Sequence, residues 1–277
     1  MEAVRINLED FVLSGGGANG ESWYGREDPS VLLKLYFPGK EKQARNELAL
    51  SRKAFRAGIP VPEPGRLVVT PDGRYGVLFR RIEGKVSIAS AVGDNPSGTS
   101  AYAARFAAMC KRLHATSLDV NEFKNVKDHY LNLLKNSRLF AQEQKGRIEE
   151  FIRSAPDADT AVHGDLQFGN AIMSGDRDYF IDLGDFCYGH PYFDLGMVYL
   201  TCKLNGEDFI KEAFHMDKGT AVLFWEAFAR EYFGSAVPLE EIEAEILPYA
   251  GLKTLIIERD TGRPMPEFRA ALEKTIL

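Results

Sequence analysis

The chain has 277 residues, more than a single hydrophobic core usually organises, so its length points to one large domain or to two lobes. It is 45% hydrophobic and 27% charged, and no apolar run approaches the roughly 18 residues of a membrane span, which argues against an integral membrane protein. A formal net charge of −6 argues against a general binder of nucleic acid or anionic membranes, although a nucleotide pocket needs only local positive charge. The opening MEAVRINLED lacks the basic start and apolar core of a secretory signal, which gives a cytoplasmic expectation. Cys110, Cys187 and Cys202 are odd in number without CxxC spacing, so neither a disulfide framework nor a zinc site is expected, and they read as small buried thiols.

In chain order, strands are expected at 5–13, at 23–24 leading to 31–37, at 66–70 and at 75–80, where apolar residues lie between Gly, Pro and Asp punctuation. One helix interrupts them at 41–58, with Ala44, Leu48, Ser51 and Phe55 at helical spacing and Gly58-Ile-Pro60 as its stop. Beyond Arg81-Ile-Glu-Gly84 the pattern turns helical. The clearest helix is 100–114, with Tyr102, Phe106, Met109 and Leu113 on one stripe and Thr99 or Ser100 as the cap. Further helices are expected at 126–144, 146–154, 192–202, 219–233 and 239–249. The expected organisation is an N-lobe, 1–82, with an antiparallel sheet and one helix for a nucleotide, and a C-lobe, 83–277, with a catalytic loop, a metal site and substrate-binding helices. A ligand is expected in the cleft between such lobes.

Ser14, Gly15, Gly16 and Gly17 open a stretch whose Gly15, Gly17 and Gly20 formally match GxGxxG. The dinucleotide-binding version needs a helix to start within the glycines, and Asn19-Gly20, Gly25 and Asp28-Pro29 block one. Strand, glycine loop and strand fit better, either as a cover offering backbone N–H groups to phosphates or as a plain hairpin turn. Lys34 stands in an otherwise apolar strand, Val31-Leu-Leu-Lys-Leu-Tyr-Phe37, so its charge reaches an anion or solvent. Glu47 on the following helix is its candidate partner, with Glu41 as a rival; such a pair holds an ammonium against the α- and β-phosphates in kinases.

Chemistry concentrates in His163-Gly-Asp-Leu-Gln-Phe-Gly-Asn170 and Phe180-Ile-Asp-Leu-Gly184. Asp165, Asn170 and Asp182 are oxygen donors that strand, turn and strand can bring together, an arrangement suited to Mg²⁺, a hydroxyl nucleophile and phosphoryl transfer. Asp185 is a further candidate contact, or a brace for the turn after Gly184. His163 and His114 read as satisfied core histidines, the first expected to bond backbone near Asp182 and fix the loop. No GxSxG elbow appears, which removes an acyl-transfer reading.

HGDLQFGN and FIDLGDFCYGHPYFDL, with Leu113-His114 and Gly58-Ile-Pro-Val-Pro62 as lesser carriers, resemble the aminoglycoside phosphotransferase and choline kinase family over nearly the whole chain. The resemblance implies an α+β, bilobal protein-kinase-like fold with a small β-rich N-lobe and a larger α-rich C-lobe. It implies Asp165 as catalytic aspartate, Asn170 and Asp182 as Mg²⁺ ligands, Lys34 and Glu47 as the phosphate-positioning pair, a nucleotide hinge at 79–84 including Arg80 and Ile82, and His163 and Asp194 as supports. Gln167 and His190 depart from the family, which has His and Asp there in many members. The expected activity is transfer of the γ-phosphate of ATP or GTP to a hydroxyl of a small molecule, aminoglycoside-like, amino alcohol or sugar. The alternative is a nucleotide-binding regulatory module without turnover. Only the nucleotide and the acceptor are expected as partners, with no nucleic acid, membrane or obligate protein. The few residues between Asp182 and His190-Pro191 leave no room for a peptide-docking segment. Trp225, Glu226, Tyr232, Tyr249 and Glu240-Glu241-Ile-Glu243 offer aromatic and acidic surface to an amine-bearing acceptor, or form core stripe and solvated face.

Overall fold

Contacts along the chain of this computed structural model separate two compact units, one of Met1–Val86 with Ile172–Asp185 and one of Ser87–Ala171 with Phe186–Leu277. Residues 2–17, 19–262 and 266–277 are described, so Ala18, within the glycine stretch, lies outside them.

In the first unit the chain runs β1 (Val4–Arg5), β2 (Phe11–Gly17), β3 (Gly20–Gly25), β4 (Val31–Tyr36), α1 (Glu41–Arg56), β5 (Pro64–Val69) and β6 (Tyr75–Arg80). These strands form one sheet in the order β1-β5-β6-β4-β3-β2, antiparallel except for the β1–β5 pair. Alternation along β4 sets its two faces. Leu33 and Leu35 pack with Val68 on one side, while Tyr36 packs with Ala44 and Leu48 of α1 on the other. Lys34 shares the parity of Tyr36 and so faces the helix. Gly58 ends the helical segment at φ +80°, a conformation costly for residues with a Cβ, and the chain turns back as Ile59 N–H donates to Ala54 O at 3.0 Å. The strand expected over 5–13 is broken, because the Asn7 side chain accepts from Glu9 N–H and starts a 3₁₀ turn at Leu8–Asp10.

The remaining elements are β7 (Val86–Ser87), α2 (Ile88–Asp94), α3 (Thr99–His114), α4 (Val126–Asn136), α5 (Gln142–Ser154), β8 (Ala161–Val162), β9 (Ala171–Ser174), β10 (Arg177–Phe180), β11 (Cys187–Tyr188), α6 (Tyr192–Tyr199), α7 (Glu207–Phe214), α8 (Lys218–Phe233), α9 (Leu239–Thr261) and α10 (Pro266–Thr275). β10, β9 and β7 make a small sheet, and β8 pairs antiparallel with β11, Val162 opposite Cys187. The second unit's core gathers Tyr130, Ile148, Phe193, Tyr249, Leu252 and Leu272 from α4, α5, α6, α9 and α10. Beside it Phe106 of α3 meets Phe224 and Phe228 of α8 at ring distances of 6.0 and 5.4 Å. Burying each such ring stabilises by roughly 1.5–3 kcal/mol. All three cysteines are buried and free.

Several helix bounds differ from expectation. The helix expected over 126–144 stops at Asn136, because Ser137 turns extended at ψ 141° and its hydroxyl accepts from Leu139 N–H at 3.2 Å, and the one expected over 146–154 starts earlier, at Gln142. Neither Thr99 nor Ser100 caps α3. Gly98 holds that position, and the Thr99 hydroxyl instead donates to Pro96 O at 2.6 Å. The helix expected to end at Tyr249 runs on to Thr261 through Pro248. A mid-helix proline costs about 3 kcal/mol, and burial of Tyr249, Leu252, Leu255 and Ile256 beyond it outweighs that penalty. The helix expected over 192–202 passes into a π-helical turn at Leu200–Leu204, where the carbonyls of Cys202 and Lys203, and of Asn205 just beyond it, accept from Lys218 Nζ at 3.1, 2.9 and 2.7 Å. No helix of the described residues is long and apolar enough to cross a membrane.

Candidate active site

In the first unit, β4 and α1 put Lys34 against Glu47, with Nζ 2.9 and 2.8 Å from the two carboxylate oxygens. Lys34 also donates to Asp182, which follows β10, and the Tyr36 hydroxyl donates to Glu47. Glu41 is engaged by Arg45 at 2.8 Å, so the rival for Lys34 is occupied elsewhere. Burial pulls the Lys34 ammonium toward neutrality, but the Glu47 and Asp182 carboxylates outweigh it and hold its pKa above the ordinary lysine value. Burial pushes the Glu47 carboxyl up, against the opposing pull of Lys34. Asp182 sits at φ +63°, a left-handed conformation uncommon for non-glycine residues, with its side chain 47% exposed. Asn46 on α1 donates to Gly184 O at 2.7 Å and fixes the turn that follows. Asp185, in that turn, is half-buried.

A cavity of about 490 Å³ opens in the same unit beside the β2–β3 hairpin. Ser14, Gly15, Gly16 and Ser22 form one wall, Leu32 and Ile82 supply apolar surface, and Arg81 and Lys85 bring positive charge. Gly17 and Arg80, expected at the nucleotide, are not among the lining residues; Arg80 is exposed at the end of β6. Ser14 Oγ donates to Ser22 O at 3.0 Å and closes the bulge in β2. A Cβ on Gly20 would stand 2.1 Å from Leu35 O, so packing requires that glycine; a Cβ on Gly15, Gly16 or Gly17 would meet nothing within 4 Å. Those three are not demanded by the fold's own packing, which leaves their backbone open to an incoming group.

In the second unit, the loop 163–170 follows β8. Asp194, in the first turn of α6 and wholly buried, accepts from His163 N–H at 2.6 Å and Gly164 N–H at 2.8 Å, and meets His114 Nε2 at 3.1 Å. His114 Nδ1 lies 2.7 Å from the Tyr232 hydroxyl. Burial works to raise the Asp194 pKa, but the His114 hydrogen bond, with further help from His163 and Lys253, leaves it below the usual carboxylate value. Gly164 takes φ +87°, and Asp165 N–H donates to the His163 ring at 3.3 Å. Asn170 Nδ2 donates to Asp165 O at 3.0 Å and to Asp165 Oδ2 at 3.1 Å, orienting that carboxylate. Gln167 closes the loop from within, its Oε1 accepting from Gly169 N–H at 2.9 Å, while Phe168 anchors it between Phe214 and Phe224.

Thus Lys34, Glu47 and Asp182 meet in one unit, and His163, Asp165, Asn170 and Asp194 in the other. Sequence reasoning missed Tyr36, Lys85 and the Tyr232–His114 contact, while Arg81 lies within the expected hinge at 79–84. The alternation that put Lys34 toward α1 also puts Tyr36 there, and that signal was readable. No group of three or more His, Cys, Asp and Glu placed to hold a metal occurs among the described residues. A cation taken by Asn170 or Asp182 therefore draws most of its shell from water and ligand oxygens.

Residues 12–228 match the phosphotransferase enzyme family. No curated protein sequence matched. Solved structures resemble the chain along most of their length. A choline/ethanolamine kinase family protein from Mesorhizobium loti is 20% identical with TM-score 0.55, over 96% of this chain and 85% of that one. A thermostable mutant of aminoglycoside phosphotransferase APH(4)-Ia is 13% identical with TM-score 0.64, over 96% and 94%. An amicoumacin kinase in complex with AMP-PNP and Ca²⁺ is 15% identical with TM-score 0.55, over 99% and 88%. The chain belongs to the phosphotransferase enzyme family and has the α+β, protein-kinase-like fold of these small-molecule kinases.

Proposed function

We propose that the protein transfers the γ-phosphate of ATP or GTP to a hydroxyl of a small molecule, in a magnesium-dependent reaction with Asp165 as base. The observation that carries the proposal is Lys34 bonded to both Glu47 and Asp182, a partly buried ammonium held ready for phosphate oxygens. Gly15 and Gly16 offer backbone N–H groups to the phosphates, and Leu32 and Ile82 offer the base an apolar wall. Asp165, oriented by Asn170, accepts the acceptor's hydroxyl proton. Little covalent chemistry is asked of the side chains; positioning and charge neutralisation supply most of the acceleration.

The donor set suits a hard cation. Asn170 spends its amide nitrogen on Asp165 and so presents its carbonyl oxygen, and Asp182 presents a carboxylate. Each would offer Mg²⁺ one oxygen, and the ion would neutralise charge on the transferring phosphate. The kinase complexed with AMP-PNP and Ca²⁺ supports a nucleotide and a divalent cation as the companions of this fold. A nucleoside triphosphate donor sets the reaction in the cytoplasm.

The test is nucleoside-diphosphate release with ATP and GTP, with and without Mg²⁺, across aminoglycosides, amino alcohols and sugars. Acceptor-dependent release that Asp165→Asn abolishes is the expected result and names the acceptor class. Mg²⁺-dependent nucleotide binding with no release for any acceptor would replace this reading with that of a regulatory module.

A further inference from the structure

Lys253 is fully buried on α9, in a stretch where Leu252, Thr254 and Leu255 are buried too. An ammonium in such surroundings is costly unless donors and charge are met, and an apolar side chain of similar length would fill the space without that cost. Its Nζ donates to Gly164 O at 3.2 Å and stands 5.4 Å from the centre of the Tyr130 ring. Gly164 is the residue between His163 and Asp165, and its left-handed backbone leaves the orientation of its carbonyl to whatever holds it.

We infer that Lys253 is a positioning residue of the catalytic loop, gripping the Gly164 carbonyl and through it setting Asp165. Two buried charges of opposite sign hold the same short segment. Asp194 takes the N–H groups of His163 and Gly164, and Lys253 takes the C=O of Gly164. Lys253 also helps keep the Asp194 carboxylate ionised, but that attraction acts through space and does not require the ammonium to donate to a particular carbonyl. Packing alone does not call for it either, because methionine fits the same volume. What neither explains is a donor aimed at the one carbonyl adjoining Asp165.

This inference rests on the kinase reading for its turnover arm only. In the full-length protein, Lys253→Met is compared with Lys253→Gln, which keeps a neutral donor. Melting, nucleotide affinity, kcat, acceptor KM and deuterium uptake of residues 160–170 are measured for each. The expected result for Lys253→Met is a kcat about 10- to 100-fold lower, the scale of a displaced catalytic group. Acceptor KM and nucleotide affinity stay unchanged, and uptake rises faster in 160–170 than elsewhere. Lys253→Gln should recover part of both losses. Wild-type kcat and uptake in Lys253→Met would overturn the inference. Uptake raised equally along the chain, failure of both variants to fold, or Gln doing no better than Met would also overturn it, leaving Lys253 a stability residue. If the wild type transfers no phosphate to any acceptor, the kinase reading fails, and the uptake comparison still decides the role of Lys253.

Discussion

Lys34 in the first unit meets two carboxylates, and one of them, Asp182, keeps 47% of its side chain exposed. Asp194 in the second unit is wholly buried, its oxygens taken up by two backbone amides and an imidazole. The first cluster is open-ended on the Asp182 side, while Glu47 is buried. The second is closed, with its charge committed to holding backbone in place. Buried charge therefore serves two ends in this protein. Where one partner is an exposed side chain, the charge can meet an incoming group; where the partners are peptide groups, it serves geometry.

The comparison is most sharply tested at Asp165, the acid that the closed cluster holds in place. Asp165→Asn should lower kcat by about 10³-fold with nucleotide affinity unchanged, checked by diphosphate release and nucleotide titration. Asp194→Ala should cost about 3 kcal/mol by leaving buried amides and His114 without their acceptor, which melting would report as a fall of roughly 6–12 °C. A shift under about 2 °C would show that the second cluster is not closed in the sense argued. Tyr36→Phe removes one donor from Glu47 and should cost about 1.5 kcal/mol, read by denaturant titration, with a weaker grip on nucleotide as the accompanying sign.

The smallest effect is on pH dependence, and it separates the clusters by direction. Asp194 has a folded-state pKa below 3.8, so its contribution is present above that value and disappears as pH falls through the folded pKa. Lys34 has a folded-state pKa above 10.5, so its contribution is present below that value and disappears as pH rises through the folded pKa. Melting followed from acid to alkali should show both limbs in the wild type, and Asp194→Ala should flatten the acid limb alone.

Much of the candidate site was legible because its residues are tied to short motifs. Asp165, Asn170 and Asp182 follow from HGDLQFGN and FIDLG, and Lys34 from its isolation in an apolar strand. The helix bounds were less so, because the deciding interactions are local captures that periodicity does not see. Ser137 accepting from Leu139 N–H ends α4 at Asn136, short of the expected bound, and burial carries α9 past Pro248. The short helices α2, α7 and α10 went unread because seven to ten residues carry too little periodic signal. Lys253 was hidden for a different reason. One lysine within LPYAGLKTLII reads as a surface residue on a helix, and only tertiary packing shows that this helix has no solvent face there.

The left-handed backbone at Asp182 has a consequence for how the protein can change. Glycine suits that conformation better by roughly 1 kcal/mol, and Lys34 would still have Glu47 if Asp182 were lost. On the proposed role of Asp182 as a cation ligand, stability and function pull on position 182 in opposite directions. A directed-evolution campaign scored on heat resistance alone would be drawn toward glycine at that site, and on the proposed role its hardiest survivors would be the ones that lose phosphate transfer.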